Sequence, residues 1–89
     1  MNGLVTACDV ETHLWHRIID ALVADGWTVI EKYDNFDMGI DYDRVVLAKD
    51  GEQIEFTWDN WTEGEIKCSS ARLKEIEASY NIALRVSGP

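Results

Sequence analysis

The sequence has almost no proline and little cysteine. Its 89 residues include one proline, at position 89, and two cysteines, Cys8 and Cys68. Without an internal proline, a repeat or a low-complexity stretch, nothing divides the chain, and we expect a single domain. The cysteines lie too far apart for a metal-binding or redox motif. We expect free thiols in a reducing compartment, with a disulfide between them as the alternative.

Basic residues and long apolar runs are also scarce. Eight Lys and Arg stand against 17 Asp and Glu, which leaves a net charge of −9. Such a surface repels nucleic acid and anionic membranes, so we expect no direct binding to either. No apolar run approaches the ~20 residues of a membrane span, and residues 1–10 lack the basic and apolar regions of a secretory signal. We therefore expect a cytoplasmic protein.

Two segments have the apolar period of a helix. The first helix is predicted to begin after an N-cap at Asp9, or at Thr6 one turn earlier, and to end at Gly26. The second begins at Ser69 or Ser70 and ends at Asn81. Their buried faces are predicted to be Val10, Leu14, Trp15, Ile18, Ile19, Ala21 and Leu22 in the first helix, and Leu73, Ile76 and Tyr80 in the second.

Between the helices the pattern is that of strands. Asp50-Gly51 is a strong signal for a two-residue hairpin, and the run after it alternates apolar and polar residues. The segment 34–41 is polar and is predicted to be an irregular loop. The predicted strands are 27–33, 44–49, 53–59 and 65–68.

These elements predict an α+β domain of order α-β-β-β-(β)-α. Consecutive hairpins imply an antiparallel sheet, and the single apolar face of each helix implies that both helices pack on one side of it. Ile82, Leu84 and Val86 alternate with polar or small residues, and are predicted to form a last strand or a tail on the core.

Acidic residues are concentrated in the predicted sheet, since residues 31–65 contain eleven acids and three bases. By alternation, Glu55, Asp59 and Glu65 face solvent on the side away from the helices, and the acids of the loop adjoin them. Trp61 lies at a turn tip, where it is either an exposed interface anchor or folds back to cover the core. The candidate partner-binding residues are Asp34, Phe36, Asp37, Asp41, Asp43, Glu55, Asp59, Trp61, Glu63 and Glu65.

No pattern of catalytic residues is evident. The loop DNFDMGIDYD is rich in carboxylates but lacks the spacing of an EF-hand. His13 and His16 lie on the exposed helix face without a third zinc ligand. The sequence contains no glycine-rich phosphate loop and no nucleophile elbow. We assign no catalytic residue, metal ligand or cofactor.

The composition and the charge pattern favour a non-enzymatic protein-binding domain with a basic partner. Its most concrete form is a phage-type inhibitor, or DNA mimic, that acts against a nucleic-acid-processing protein such as a defence factor. One alternative is an immunity-type neutraliser of a specific toxin, with Trp61 and Phe36 as anchors. Another is a small divalent-metal-binding domain or enzyme that uses the acidic loop. A homodimer through an edge strand or the tail stays open, as does a surface that serves solubility alone.

Overall fold

The computed structural model describes residues 3–37, 40–61 and 63–87, and within them the side chains of residues 3–33, 42–61 and 63–86. Two helices and a six-stranded antiparallel sheet confirm the predicted α+β class. The sheet order is β2-β3-β4-β5-β1-β6. The elements are β1 Leu4–Val10, α1 Thr12–Ala24, β2 Thr28–Asp37, β3 Ile40–Lys49, β4 Glu52–Asp59, β5 Glu63–Ser69, α2 Ser70–Tyr80 and β6 Arg85–Ser87.

The first strand corrects the prediction for the amino-terminal segment. Residues 4–10 form β1, which pairs with β5 on one side and with β6 on the other. The N-cap of α1 is Glu11, whose side chain accepts a hydrogen bond from Leu14 N at 3.2 Å, rather than Asp9 or Thr6. Val10 fits the helical period but is buried at the end of β1. Pairing with strands more than 50 residues later decides this segment, and no local pattern reveals such pairing.

The segment 34–41 is a second correction. The predicted loop is largely strand, because β2 and β3 are paired from Thr28↔Ala48 to Asp37↔Ile40, with one shift of register between Val29 and Glu31. Met38 and Gly39, at its centre, lie outside the described residues. Aspartate disfavours strands locally, but backbone pairing between two long neighbours outweighs this preference.

Other local predictions are confirmed. Asp50 and Gly51 both have positive φ, 52° and 81°, as a two-residue hairpin requires. Ser69 caps α2 by accepting a hydrogen bond from Arg72 N at 3.1 Å, and Asn81 ends α2 in the left-handed conformation. The carboxy-terminal alternation becomes the short strand β6.

The core lies on one face of the sheet. Its strand residues share one alternation, as in the register pairs Val45↔Phe56 and Phe56↔Ile66. Helix α1 packs on β4 and β5, and α2 packs on β1 and β5. Both helices therefore cover the same face, and they lie toward the β5 side of the sheet, away from the edge strand β2. The core is formed by Ala7, Val10, Trp15, Ile18, Leu22, Trp27, Val45, Leu47, Ile54, Phe56, Ile66, Cys68, Leu73 and Ile76.

Candidate functional site

The acids of the sheet gather at one end of the strands. The register pairs Asp34 with Asp43, Tyr42 with Asp59, and Asp59 with Glu63, so the β2–β3 hairpin and the β4–β5 turn lie side by side. We call residues 34–43 and 58–64 the acidic end. These two segments contain six acids and neither lysine nor arginine. The acidic end is therefore a region of strong negative potential.

The open face of the sheet has an arginine among its acids. Glu55, Asp59 and Glu65 do lie on this face, as the alternation indicates. However, Arg44 lies between two carboxylates, with Nε 3.2 Å from Glu31 Oε2 and Nη1 3.3 Å from Glu55 Oε1. The hydrogen bond with Glu31 is the largest of the effects that raise the pKa of Arg44. Glu55 is therefore compensated by a base, a contact that the alternation of β4 alone does not predict.

The register also separates the predicted site residues between the two faces. Asp43 pairs with Trp58 and therefore takes the helix side of the sheet, whereas Asp59 takes the open side. By register, the backbone positions 34 and 41 are on the helix side of the sheet, like Asp43, and position 37 is on the open side. The side chains of Asp34, Phe36, Asp37 and Asp41 lie outside the described residues. Acidic positions thus occupy both faces of the same end.

Trp61 is the most exposed large apolar side chain in the described part of the chain, at 75%. Its backbone N–H donates to Asp59 Oδ1 at 2.8 Å, which fixes the turn that presents the indole. Glu63 is exposed and has a positive φ of 64°. Across the hairpin, the rings of Tyr33 and Tyr42 meet edge to face with centroids 6.0 Å apart. The acidic end thus combines carboxylates with aromatic surface.

Trp58, on the other side of this turn, has a structural role. It points toward the helices, on the same side of β4 as Phe56, and packs against the core. Its Nε1 donates to Thr12 Oγ1 at 3.0 Å, which joins β4 to the first turn of α1. The two tryptophans of the turn are therefore divided between the core and the surface.

A groove that sequence reasoning missed runs between α1 and the β2–β3 hairpin. Its volume is about 460 Å³. It exists because α1 lies over β4 and β5, which leaves the helix side of β2 open. The one sequence feature that could have indicated it is the apolar pair Val23 and Val29, outside the predicted helix face. Among the residues that line it are Ile19, Asp20, Val23, Val29, Lys32 and Asp43.

In the described part of the chain, the candidate metal ligands and nucleophiles do not form a cluster. Among the described residues, no three His, Cys, Asp or Glu side chains are grouped so as to hold a metal ion. His13 and His16 are exposed on α1, as predicted. Cys8 and Cys68 are free thiols. The register Val5↔Cys68 places Cys8 on the other face of the sheet, and burial raises the pKa of Cys68 to about 11.

Two further observations bear on the whole chain. No helix in the described ranges has the length and apolar character needed to cross a membrane. Comparisons with protein-family models, curated proteins and solved structures found no match.

Proposed function

We propose that this chain is a non-enzymatic binding domain that docks its acidic end on a basic surface of a protein partner. The single observation that carries the proposal is Trp61, 75% exposed within a region that has carboxylates and no lysine or arginine. A large exposed aromatic surrounded by one sign of charge is typical of an interface anchor with a polar rim.

The charge and the aromatic group have different roles in this proposal. The carboxylates of the acidic end would steer a basic partner and raise the rate of encounter, an effect that salt screens. The indole of Trp61 buries its area only after docking, and this part of the binding free energy depends little on salt. Asp59 and Glu63 lie on either side of the indole in sequence, so the partner is expected to offer an apolar pocket rimmed by Lys or Arg.

The more specific form of the proposal is an antagonist of a nucleic-acid-processing protein. Carboxylates on both faces of the acidic end would contact the cationic groups that otherwise bind phosphates. Support comes from the six acids at this end and from Arg44, whose ion pairs are with Glu31 and Glu55, both outside it. An immunity-type neutraliser that depends mainly on Trp61 is the second candidate, and the exposure of that residue favours it.

Affinity capture with matched variants tests the proposal. The immobilised chain is compared with Trp61→Ala and with the double variant Asp59→Asn/Glu63→Gln. The control is Asp50→Asn/Glu75→Gln, which removes the same charge at the other end of the sheet. Proteins from a bacterial lysate are eluted with rising salt, identified by mass spectrometry and purified for direct titration.

We expect a basic protein that binds the wild type and the control alike and binds both acidic-end variants at least about tenfold more weakly. Its displacement from a labelled oligonucleotide by the wild type would support the antagonist form. A larger loss in Trp61→Ala than in the charge variant, together with retention at high salt, would support the neutraliser. Equal binding by all four chains would overturn the proposal.

A further inference from the structure

The edge strand β2 has properties that are uncommon for an edge strand. It is ten residues long, has no proline, and among the described strands has one neighbour, β3. Val29, Ile30 and Tyr33 on β2 and Val23 on the adjoining part of α1 are four of the seven large apolar side chains that are exposed in the described part. A long edge flanked by apolar surface is a template for pairing with another strand.

The backbone of β2 presents hydrogen-bonding groups at this edge. In a two-residue hairpin the residues on either side of the turn, here Lys49 and Glu52, form a hydrogen-bonded pair. Hydrogen-bonded and non-hydrogen-bonded pairs then alternate along the two strands. By this alternation, Arg44 directs its backbone groups to β2 and pairs with Tyr33. The N–H and C=O of Lys32 and of residue 34 therefore point away from the sheet.

The charges of β2 decide how two copies of it can pair. In a twofold antiparallel pair of identical strands, one residue lies opposite itself on the axis. With Glu31, Lys32 or Asp34 on the axis, like charges would oppose each other directly, which is destabilising. With Tyr33 on the axis, Lys32 of each copy lies opposite position 34, an aspartate, of the other. This register also sets Glu31 opposite position 35, an asparagine.

We propose that β2 pairs with β2 of a second copy of this chain, antiparallel and centred on Tyr33. The twofold axis is perpendicular to the sheet, so the two sheets join as one and all four helices lie on the same side. The groove beside Val23 and Val29 then continues across the axis. The two Trp61 side chains lie at opposite ends of the dimer, so this inference does not depend on the proposed function.

Salt distinguishes this dimer from binding to a basic partner. Each copy carries a net charge of −9, so two copies repel one another at long range. Screening lowers this repulsion, while the backbone pairing and the apolar contacts remain. Added salt should therefore strengthen the dimer, whereas it should weaken a complex held by the acidic end.

The proposal is tested by sedimentation velocity on the full chain over a wide range of protein and salt concentrations. We expect a monomer–dimer equilibrium that salt shifts toward the dimer. Lys32→Asp should raise the dimer dissociation constant about tenfold or more, because two symmetry-related pairs change from attraction to repulsion. The charge swap Lys32→Asp/Asp34→Lys should restore dimerisation. Far-ultraviolet circular dichroism and thermal melts confirm that each variant is folded.

A disulfide test checks the register independently. In a Cys8→Ser background, Tyr33→Cys should give a crosslinked dimer under mild oxidation, because the two residues face each other across the axis. Glu31→Cys in the same background is the control and should give no crosslinked dimer. A monomer at every concentration, a dimer unaffected by Lys32→Asp, a charge swap that restores nothing, or crosslinking at position 31 rather than 33 would each overturn the proposal.

Discussion

The indole ring of Trp15 lies directly against Gly64, and the space for a side chain at Gly64 is filled by that ring and by the carbonyl oxygen of Val10. The same indole donates from Nε1 to the carbonyl oxygen of Glu65 at 3.3 Å and meets Phe56 edge to face at 6.1 Å. One glycine in β5 thus allows α1 to lie close to the sheet, and this contact sets the position of the helix.

Gly64→Ala should lower the free energy of unfolding by about 1–3 kcal/mol, because the added methyl group forces the Trp15 ring to move within a packed core. Urea denaturation followed by tryptophan fluorescence measures this change. Gly3→Ala is the matched control, since a Cβ at Gly3 meets nothing within 4 Å. A loss of similar size in both variants would contradict the packing role of Gly64.

The two thiols should differ in their reaction with Ellman's reagent. Cys68 is fully buried, and burial raises its pKa to about 11, so that it is neither accessible nor ionised at neutral pH. Cys8 is half-buried on the open face. We expect one thiol per chain to react in the native protein and two in denaturant. Cys8→Ser should abolish the native reaction, and rapid reaction of that variant would contradict the burial of Cys68.

Acid should weaken the contact between β4 and α2. Arg72 Nη2 lies 2.8 Å from Glu52 Oε1, and this hydrogen bond lowers the pKa of Glu52 below its ordinary value of 4.5. The unfolded chain therefore binds the proton more readily than the folded one. The stability that this pair contributes is present above about pH 4.5 and is lost as the pH falls through the folded pKa.

Glu52→Gln tests this pH dependence. Because the pair is partly exposed, its contribution is about 0.2–1 kcal/mol. The variant should unfold at a lower temperature than the wild type at pH 7, and the two melting temperatures should converge toward pH 3. Glu75→Gln, which removes the more exposed partner of Arg72, is the control and should show a smaller change. A difference that persists unchanged at low pH would contradict the assignment.

Arg44 should stabilise the open face in two ways. It neutralises Glu31 and Glu55, and with them it surrounds Val46, which is 3% exposed although it lies on the face without helices. Arg44→Ala should therefore cost about 1 kcal/mol in the free energy of unfolding through lost cover and repulsion between the two carboxylates. Adding Glu31→Gln to this variant should recover part of the loss at low salt, and no recovery would argue against the repulsion.

The correct sequence-based predictions concern features that neighbouring residues determine. Gly26 and Asn81 end their helices, Asp50-Gly51 forms the hairpin, and Ile54 and Phe56 are buried, all as their local patterns indicate. The strand β1 was missed because its pairing partners are distant in sequence. The strand structure of residues 34–37, 40 and 41 was missed because it comes from pairing rather than from composition.

The candidate site was predicted less well than the fold, because its geometry depends on register. The alternation within β4 correctly placed Glu55 and Asp59 on the open face. It could not place Arg44 beside Glu55, or Asp43 opposite Trp58, because those relationships need the pairing of β3 with β4. The turn alone could not show whether Trp61 is exposed or folds back on the core. The groove beside α1 depends on which strands the helices cover.

The position of β1 between β5 and β6 has a consequence for the order of events during synthesis. Among the described strands β1 is translated before the others, but both strands that flank it come from residues 63–87, after β2, β3 and β4 have been translated. Until then the apolar residues of β1, such as Ala7 and Val10, lack their partners. Because such distant contacts slow folding, the nascent chain is expected to keep β1 exposed to chaperones and to other chains until residues 63–87 have been translated.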